Sequence, residues 1–195
     1  MAGPQRDRQL TVDELNIQGV LLITPKRFSD SRGWFSETYS QNAFRDRGLE
    51  LDFVQDNHSL SLKAGTLRGF HFQTPPHAQA KLVRCVRGRI LDVTVDLRVG
   101  SPTYARHASA ELSALDGKQL FIPVGFAHAF LTLEPDTEVI YKVSDIYAPE
   151  CEAGIRWDDP TIGFPWDIKQ RPFLSEKDAK LPHMGEAFNP FVYEK

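Results

Sequence analysis

The chain has 195 residues, and 23 lysines and arginines against 26 aspartates and glutamates give a formal net charge of −3. An apolar content of 41% and a charged content of 25% are ordinary for a soluble globular protein of one domain. The slightly acidic balance argues against a nucleic acid or a membrane surface as partner. We therefore expect a single domain over residues 1–195 that binds neither.

The sequence also favours a cytoplasmic location. No apolar run approaches the roughly 20 residues that a membrane-spanning helix needs, and the polar N-terminus lacks the apolar centre of a signal peptide. Cys85 and Cys151 form no paired-cysteine motif, so reduced thiols are expected rather than disulfides or a zinc site.

Short strands dominate the predicted elements, which follow an N-terminal arm of about residues 1–30. Between residues 91 and 97 apolar and polar residues alternate with a period of two, and Gly88 separates this strand from the one before it. Turn residues recur about every ten positions, the spacing of a sandwich or barrel. Strands are predicted at 34–39, 53–61, 66–72, 82–87, 91–97, 104–112, 119–122, 129–133 and 137–144.

Only two short helices are predicted. Ser40 can cap a helix over 41–47 with Gly48 as its stop, and Ser175 can cap a turn that runs through Lys180. The C-terminal extension, about residues 167–195, carries Phe188, Phe191 and Tyr193 near its end and is too apolar for a free tail. We expect it to dock on the body of the protein or on a partner chain.

A glycine-proline-glycine-histidine spacing is the most informative motif. Gly117, Pro123, Gly125 and His128 match the second half of a cupin barrel motif, and Gly65 with His71 matches the first half. The metal positions have changed: Gln73 replaces a second histidine and Lys81 replaces the carboxylate. Because an ammonium group repels a divalent cation, we expect no metal and no cofactor, and proton chemistry instead.

Other candidates have ordinary structural explanations beside the functional ones. Tyr141 shares a strand face with Val139 and Val143, where a tyrosine usually serves packing, although its hydroxyl can donate a proton if that face lines the pocket. Asp145, Asp158 and Asp159 can orient a histidine base. Taken alone, however, an Asp-Asp-Pro sequence favours a turn, and Arg32 and Glu37 can simply pair with each other.

Together these segments resemble the dTDP-4-dehydrorhamnose 3,5-epimerase family, from about residue 20 to residue 166. The segments that carry the resemblance include Arg-Gly-Trp-Phe-Ser-Glu at 32–37, Gln-Asp-Asn-His-Ser at 55–59, Arg-Gly-Phe-His-Phe-Gln at 68–73, Ala-Lys-Leu-Val-Arg at 80–84, Ile-Pro-Val-Gly-Phe-Ala-His at 122–128, Tyr-Lys at 141–142 and Trp-Asp-Asp-Pro at 157–160. The resemblance implies an all-β fold, a cupin-type double-stranded β-helix or jelly roll, with a few short helices.

The resemblance also implies residue roles. His71 is the expected base, oriented by Asp159 in preference to Asp158, with Tyr141 as the acid and Lys81 stabilising the enolate. The nucleotide-sugar pocket is expected to contain Arg32, Glu37, Gln55, Asn57, Arg68 and His128, with Trp34 and Phe35 on the nucleotide. The substrate would be a dTDP-sugar, and the protein would form a homodimer by exchange of N-terminal strands.

The predicted reaction is epimerisation of dTDP-4-dehydro-6-deoxy-D-glucose at C3 and C5 without a cofactor. Three alternatives remain open at this stage. One is a relative that inverts a single centre or moves the keto group. A metal-dependent cupin oxygenase is opposed by Gln73 and Lys81, and a non-catalytic sugar-binding cupin is opposed by the combined presence of an acid and a base.

Overall fold

The computed structural model describes residues 10–194, and the first nine residues of the expected N-terminal arm lie outside them. Thirteen strands are described, together with one α-helix and two single turns of 3-10 helix, so the all-β prediction is confirmed. The strands are β1 Leu10–Glu14, β2 Leu21–Pro25, β3 Phe28–Asp30, β4 Gly33–Phe35, β5 Gln55–Ser61, β6 Leu67–Gln73, β7 Lys81–Arg87, β8 Arg89–Asp96, β9 His107–Ser113, β10 Gln119–Ile122, β11 Phe126–Thr132, β12 Thr137–Val143 and β13 Glu152–Gly154.

Two antiparallel sheets form the body of the protein. The first has the strand order β1-β2-β10-β7-β12-β5 and the second has the order β13-β6-β11-β8-β9. The apolar core between them draws on both sheets, with Val83, Leu120 and Val139 from the first and Ile90 and Phe130 from the second. Strands β3 and β4 form a separate two-stranded hairpin.

The outer face of each sheet is covered by a different part of the chain. Helix α1, Gln41–Arg45, contributes Phe44 to a cluster with Ile23 and Phe121 on the six-stranded sheet. The predicted cap is confirmed, because the Ser40 side chain accepts a hydrogen bond from the backbone N–H of Ala43. Gly48 adopts the left-handed conformation, with φ of +82°, that suits a helix stop.

The five-stranded sheet is covered by C-terminal residues. Met184 and Phe191 pack in one cluster with Phe70, Phe72 and Val93. The Ser175 hydroxyl accepts a hydrogen bond from the N–H of Asp178, which opens the 3-10 turn Asp178–Lys180. The extension therefore docks on the body, as expected, and carries polar side chains back to the sheet.

Because side chains alternate between the two faces of a strand, neighbouring residues on a strand face opposite sides of the sheet. On β6, Phe70 and Phe72 face the outer cluster, so His71 and Gln73 face inward. On β12, Val139 belongs to the inner core, and Tyr141 packs against it from the same face. One end of the space between the sheets is thus filled by apolar side chains, and the other end is lined by polar ones.

Candidate active site

A polar cleft opens between the two sheets at that second end. It consists of two hollows, of about 480 and 790 Å³, and four residues line both of them: His71, Lys81, Tyr141 and Glu152. Because His71 lies on the five-stranded sheet, and Lys81 and Tyr141 lie on the six-stranded sheet, groups from opposite sheets face one space. The predicted convergence of His71, Lys81 and Tyr141 is present in the structure.

His71 is oriented by a carboxylate that the sequence analysis did not select. Its Nε2 lies 2.6 Å from Oδ1 of Asp178, whose side chain is almost fully buried. Burial is the largest single influence and opposes ionisation of Asp178, but the hydrogen bond and charge of His71, together with hydrogen bonds from the Gly69 backbone and Ser175, outweigh it, and the pKa of this carboxyl is lowered. With Nε2 engaged by an ionised aspartate, Nδ1 is the ring nitrogen that can accept a proton.

The expected pairing of Asp159 with His71 is wrong. Asp159 accepts hydrogen bonds from the backbone N–H groups of Thr161, Ile162 and Met184, and from Nδ1 of His183 at 2.9 Å. Its carboxylate closes a turn and ties that turn to the C-terminal segment. Asp158 pairs instead with Arg156. The turn interpretation of this segment is therefore the correct one.

Asp178 lies in the extension that carried no diagnostic motif. The sequence feature that could have pointed to Asp178 is its position three residues after Ser175, where an acidic residue suits the first turn of a helix. Nothing in the sequence related this turn to His71, because their contact spans 107 residues of chain. Only the docking of the extension onto the five-stranded sheet brings them together.

Lys81 is a buried cation at the start of β7. Its Nζ lies 3.4 Å from the carbonyl oxygen of His71, so its ammonium group reaches across to the facing sheet. Burial lowers the pKa of Lys81 to about 8, although the nearby charges of Asp92 and Glu152 favour the protonated form. The amine is thus positively charged at neutral pH, and its charge can change within an accessible range.

His128 and Asp92 form a buried pair behind this lysine. His128 Nε2 lies 3.0 Å from Oδ2 of Asp92, and the residue is opposite His71 in the β6–β11 register. Burial lowers the pKa of His128 and raises the pKa of Asp92. The close approach of these strands requires Gly69, because a Cβ there would lie 2.4 Å from the His128 carbonyl oxygen.

Polar residues on the inner face of β5 complete one wall. Gln55 donates from its amide to Asn57 at 2.9 Å and accepts from the backbone N–H of Tyr147. Arg68 donates to the Ser61 hydroxyl and to the Leu60 carbonyl. Ser59 also lines the cleft, and among the described residues no hydrogen-bond partner lies near its buried hydroxyl. The predicted pocket residues Gln55, Asn57, Arg68 and His128 are therefore all at the cleft.

A second cluster at the cleft was missed by the sequence analysis. Glu152 accepts hydrogen bonds from the Tyr147 hydroxyl at 2.7 Å and pairs with Nζ of Lys177 at 2.5 Å. Burial opposes its ionisation, but these partners lower the pKa of Glu152. Glu152 reaches the site because β13 pairs with β6 and places it opposite Gln73.

The N-terminal candidates lie elsewhere. Arg32, Trp34, Phe35 and Glu37 are exposed on or beside the β3–β4 hairpin, and none lines the cleft of their own chain. The Arg32 side chain is 88% exposed and pairs with Asp30, so the suggested Arg32–Glu37 pair is wrong. The roles of these four residues remain predictions.

Gln73 occupies one of the altered metal positions and has a structural role. Its amide donates to the carbonyls of His77 and Ile146 and accepts from the N–H of Ala148. Within residues 10–194 no group of three or more His, Cys, Asp or Glu side chains is arranged to hold a metal ion. Over the same residues, no helix has the length and apolar character needed to cross a bilayer.

Comparison with known proteins identifies the family to which the chain belongs. The family model for dTDP-4-dehydrorhamnose 3,5-epimerase matches residues 14–186. A dTDP-4-dehydrorhamnose 3,5-epimerase from Sinorhizobium fredii is 48% identical over 195 residues, all of both chains. The chain belongs to the dTDP-4-dehydrorhamnose 3,5-epimerase family.

Solved structures of this family have the same fold. The 3,5-epimerase of Bacillus anthracis, with TDP and pyrophosphate bound, is 44% identical with a TM-score of 0.87, covering 89% of this chain and 99% of that one. A 3,5-epimerase of Legionella pneumophila in complex with dTDP-4-keto-L-rhamnose is 34% identical with a TM-score of 0.91, covering 96% and 100%. The cupin-type jelly roll is thereby confirmed, and the enzyme is an isomerase.

Proposed function

We propose that this epimerase inverts C3 and C5 of dTDP-4-dehydro-6-deoxy-D-glucose with His71 as base, Lys81 as enolate stabiliser and Tyr141 as acid. The observation that carries the proposal is the placement of His71 and Tyr141 on opposite sheets of one cleft. Inversion requires a proton to leave one face of a carbon and another to arrive at the opposite face. A base and an acid that face each other across the substrate satisfy this requirement.

The first step is removal of the proton from the carbon next to the 4-keto group by Nδ1 of His71. The C–H bond electrons move into the ring as an enolate, and negative charge develops on the keto oxygen. Asp178 stabilises the imidazolium that forms. Lys81 supplies positive charge to the developing oxyanion from a site largely shielded from water, where such a charge is most effective.

The second step is proton donation by the Tyr141 hydroxyl to the opposite face of the same carbon. Burial raises the pKa of Tyr141, so the phenol keeps its proton over the physiological range and is available as a donor. Exchange with solvent then removes the proton from His71 and returns a proton to the Tyr141 phenolate. Repeating the cycle at the second carbon flanking the ketone gives the doubly inverted sugar, dTDP-4-dehydro-L-rhamnose.

The remaining residues are proposed to bind the substrate. Gln55 and Asn57 on the six-stranded sheet and Arg68 on the five-stranded sheet present donors to the cleft, and Lys177 lines it as well. An arginine can grip a diphosphate through paired hydrogen bonds.

The exposed N-terminal hairpin is proposed to serve a partner subunit. Arg32, Trp34, Phe35 and Glu37 would contact the nucleotide bound by a second copy, in a cytoplasmic homodimer. Their exposure on a hairpin that does not pair with either main sheet supports this arrangement.

The test is a proton NMR time course with dTDP-4-dehydro-6-deoxyglucose in heavy water. The proposal expects enzyme-dependent deuterium at both C3 and C5 and a product with the L-rhamno configuration. Label at one carbon only would reduce the enzyme to a single-centre epimerase. Absence of enzyme-dependent exchange would overturn the assignment of this substrate.

A further inference from the structure

The β3–β4 hairpin needs an anchor outside itself. Each of its strands has only three residues, Phe28–Asp30 and Gly33–Phe35, and they pair only with each other among the described strands. A two-stranded hairpin alone is marginally stable in water. Side-chain contacts with the body can therefore contribute to fixing its orientation.

Arg27, directly before β3, provides such an anchor. Its guanidinium donates to the backbone carbonyls of Ala114, at 2.8 Å, and Leu115, both in the turn between β9 and β10. The structure leaves room for it, since a Cβ on Gly117 would lie 2.7 Å from a terminal nitrogen of Arg27. Two donors to two fixed acceptors define the plane of the guanidinium.

The same guanidinium covers one face of Trp34. The central carbon of the group lies 4.0 Å from the centroid of the indole ring, well within cation–π range. Trp34 is nevertheless 56% exposed. One ring face is held against a fixed cation, and the rest of the ring is open to a ligand.

We propose that Arg27 is a positioning residue that holds the Trp34 indole as a preformed stacking surface for the planar base of the nucleotide substrate. The inference rests on the proposed function, in which hairpin residues contact the nucleotide. An indole that is already fixed loses little conformational freedom when a base stacks on it, so preorganisation strengthens binding. Arg27 itself is not required to touch the substrate.

The experiment compares wild type, Arg27→Met and Arg27→Lys with the control Lys26→Met. Lys26 is the matched neighbour, since its ammonium lies 5.0 Å from the centroid of a different aromatic ring of the same hairpin, that of Phe28. KM and kcat are measured with the dTDP-sugar. The dissociation constant for dTDP is measured from tryptophan fluorescence, with Trp34→Phe identifying the Trp34 signal, and thermal melting confirms that each variant is folded.

The inference expects Arg27→Met to raise KM and the dTDP dissociation constant roughly tenfold, with kcat within about twofold of wild type. Arg27→Lys, which keeps the charge but lacks the planar fork, is expected to lie between the two. Lys26→Met is expected to match wild type. In a Trp34→Ala background, Arg27→Met is expected to have no further effect, because the two residues act as one unit.

The inference would be overturned by a wild-type KM in Arg27→Met or by an equal rise in KM in Lys26→Met. It would also be overturned if the effects of Arg27→Met and Trp34→Ala on KM simply multiplied in the double variant. A lower melting temperature with unchanged KM in Arg27→Met would also overturn it, since Arg27 would then have only a structural role. Failure of the proposed function is distinguishable: if the hairpin did not contact the nucleotide, Trp34→Ala itself would keep wild-type KM and dTDP affinity, and if the substrate were wrong, the wild-type enzyme would show neither turnover nor dTDP binding.

Discussion

The imidazole of His71 and the carboxylate of Asp178 lie 2.6 Å apart, although 107 residues of chain separate them. One residue belongs to β6 of the five-stranded sheet, and the other to a single helical turn of the C-terminal extension. The extension is thus a part of the active site as well as a cover for the sheet. Asp178 engages Nε2 of His71, and the proposed role of His71 as base therefore falls to Nδ1.

Replacement of this aspartate should impair chemistry more than binding. Asp178→Asn removes the charge that stabilises the imidazolium and changes the tautomer preference of His71, so kcat is expected to fall by about 10²–10⁴-fold. Steady-state kinetics with the dTDP-sugar measures this. Asp158→Asn, which breaks only the exposed pair with Arg156, is the control and is expected to keep wild-type kcat. Equal kcat values in the two variants would contradict the dyad.

Asp159 should contribute to stability and not to turnover. Its buried carboxylate accepts three backbone hydrogen bonds and one from His183. Asp159→Asn is expected to lower the free energy of unfolding by about 1–3 kcal/mol, with kcat unchanged. A large loss of kcat in an Asp159→Asn variant that melts like wild type would show that Asp159 takes part in catalysis.

The stability effect of Asp159 should depend on pH in a defined direction. Burial raises the pKa of this carboxyl, but its hydrogen bonds prevail, and the folded-state pKa is lower than the unfolded value. Its contribution is therefore complete above the unfolded pKa of about 4 and is lost as the pH falls through the folded pKa. Thermal melts of wild type and Asp159→Asn should differ most at neutral pH and converge in acid.

Lys81 should set the alkaline limit of activity. Burial lowers the pKa of Lys81 to about 8, and only the protonated form can stabilise an enolate. kcat is therefore expected to decline as the pH rises through about 8, and Lys81→Met is expected to lose about 10²–10³-fold at neutral pH. Lys142→Met, which removes an exposed ion pair with Asp56 on the neighbouring strand, is the control.

A second variant tests whether the decline of kcat at alkaline pH comes from Lys81. Arginine keeps its charge above pH 12, so the residual activity of Lys81→Arg should persist to higher pH than that of wild type. The full pH profile of kcat for both proteins provides the comparison. An alkaline decline at the same pH in Lys81→Arg would mean that another group titrates there.

Tyr141 should be needed for inversion but not for proton removal. In Tyr141→Phe, His71 can still abstract a proton, but the phenol proposed to protonate the other side of the carbon is gone. We expect solvent deuterium to enter with retained configuration, while formation of inverted sugar falls by about 10²–10⁴-fold. NMR in heavy water separates the two events. Tyr104→Phe, on the surface outside the cleft, should behave as wild type; normal inversion in Tyr141→Phe would exclude the phenol as acid.

The sequence predicted the fold and the centre of the cleft because both depend on local patterns. Strand β10 was predicted with its observed bounds, and the predicted common face of Tyr141 and Val139 is confirmed, because Tyr141 packs against the inner core that contains Val139. The predicted strand at 34–39 was too long, since β4 ends at Phe35.

What the sequence could not predict depends on how distant segments pack. Asp178 and Lys177 reach the cleft only because the C-terminal extension docks on the five-stranded sheet. Glu152 reaches it only because the short strand β13 pairs with β6. Asp159 was preferred for its position in a recognisable segment, but a carboxylate before backbone N–H groups forms a local turn.

The most direct test of the account is deuterium exchange by His71→Ala compared with wild type and His77→Ala. His77 is a matched control, since its Nδ1 lies 3.4 Å from an oxygen of Asp145 in another histidine–aspartate pair, and its side chain does not line the cleft. The account predicts exchange at both C3 and C5 in wild type and His77→Ala and its loss at both carbons in His71→Ala. Exchange at either carbon at the wild-type rate in folded His71→Ala would show that His71 is not the base.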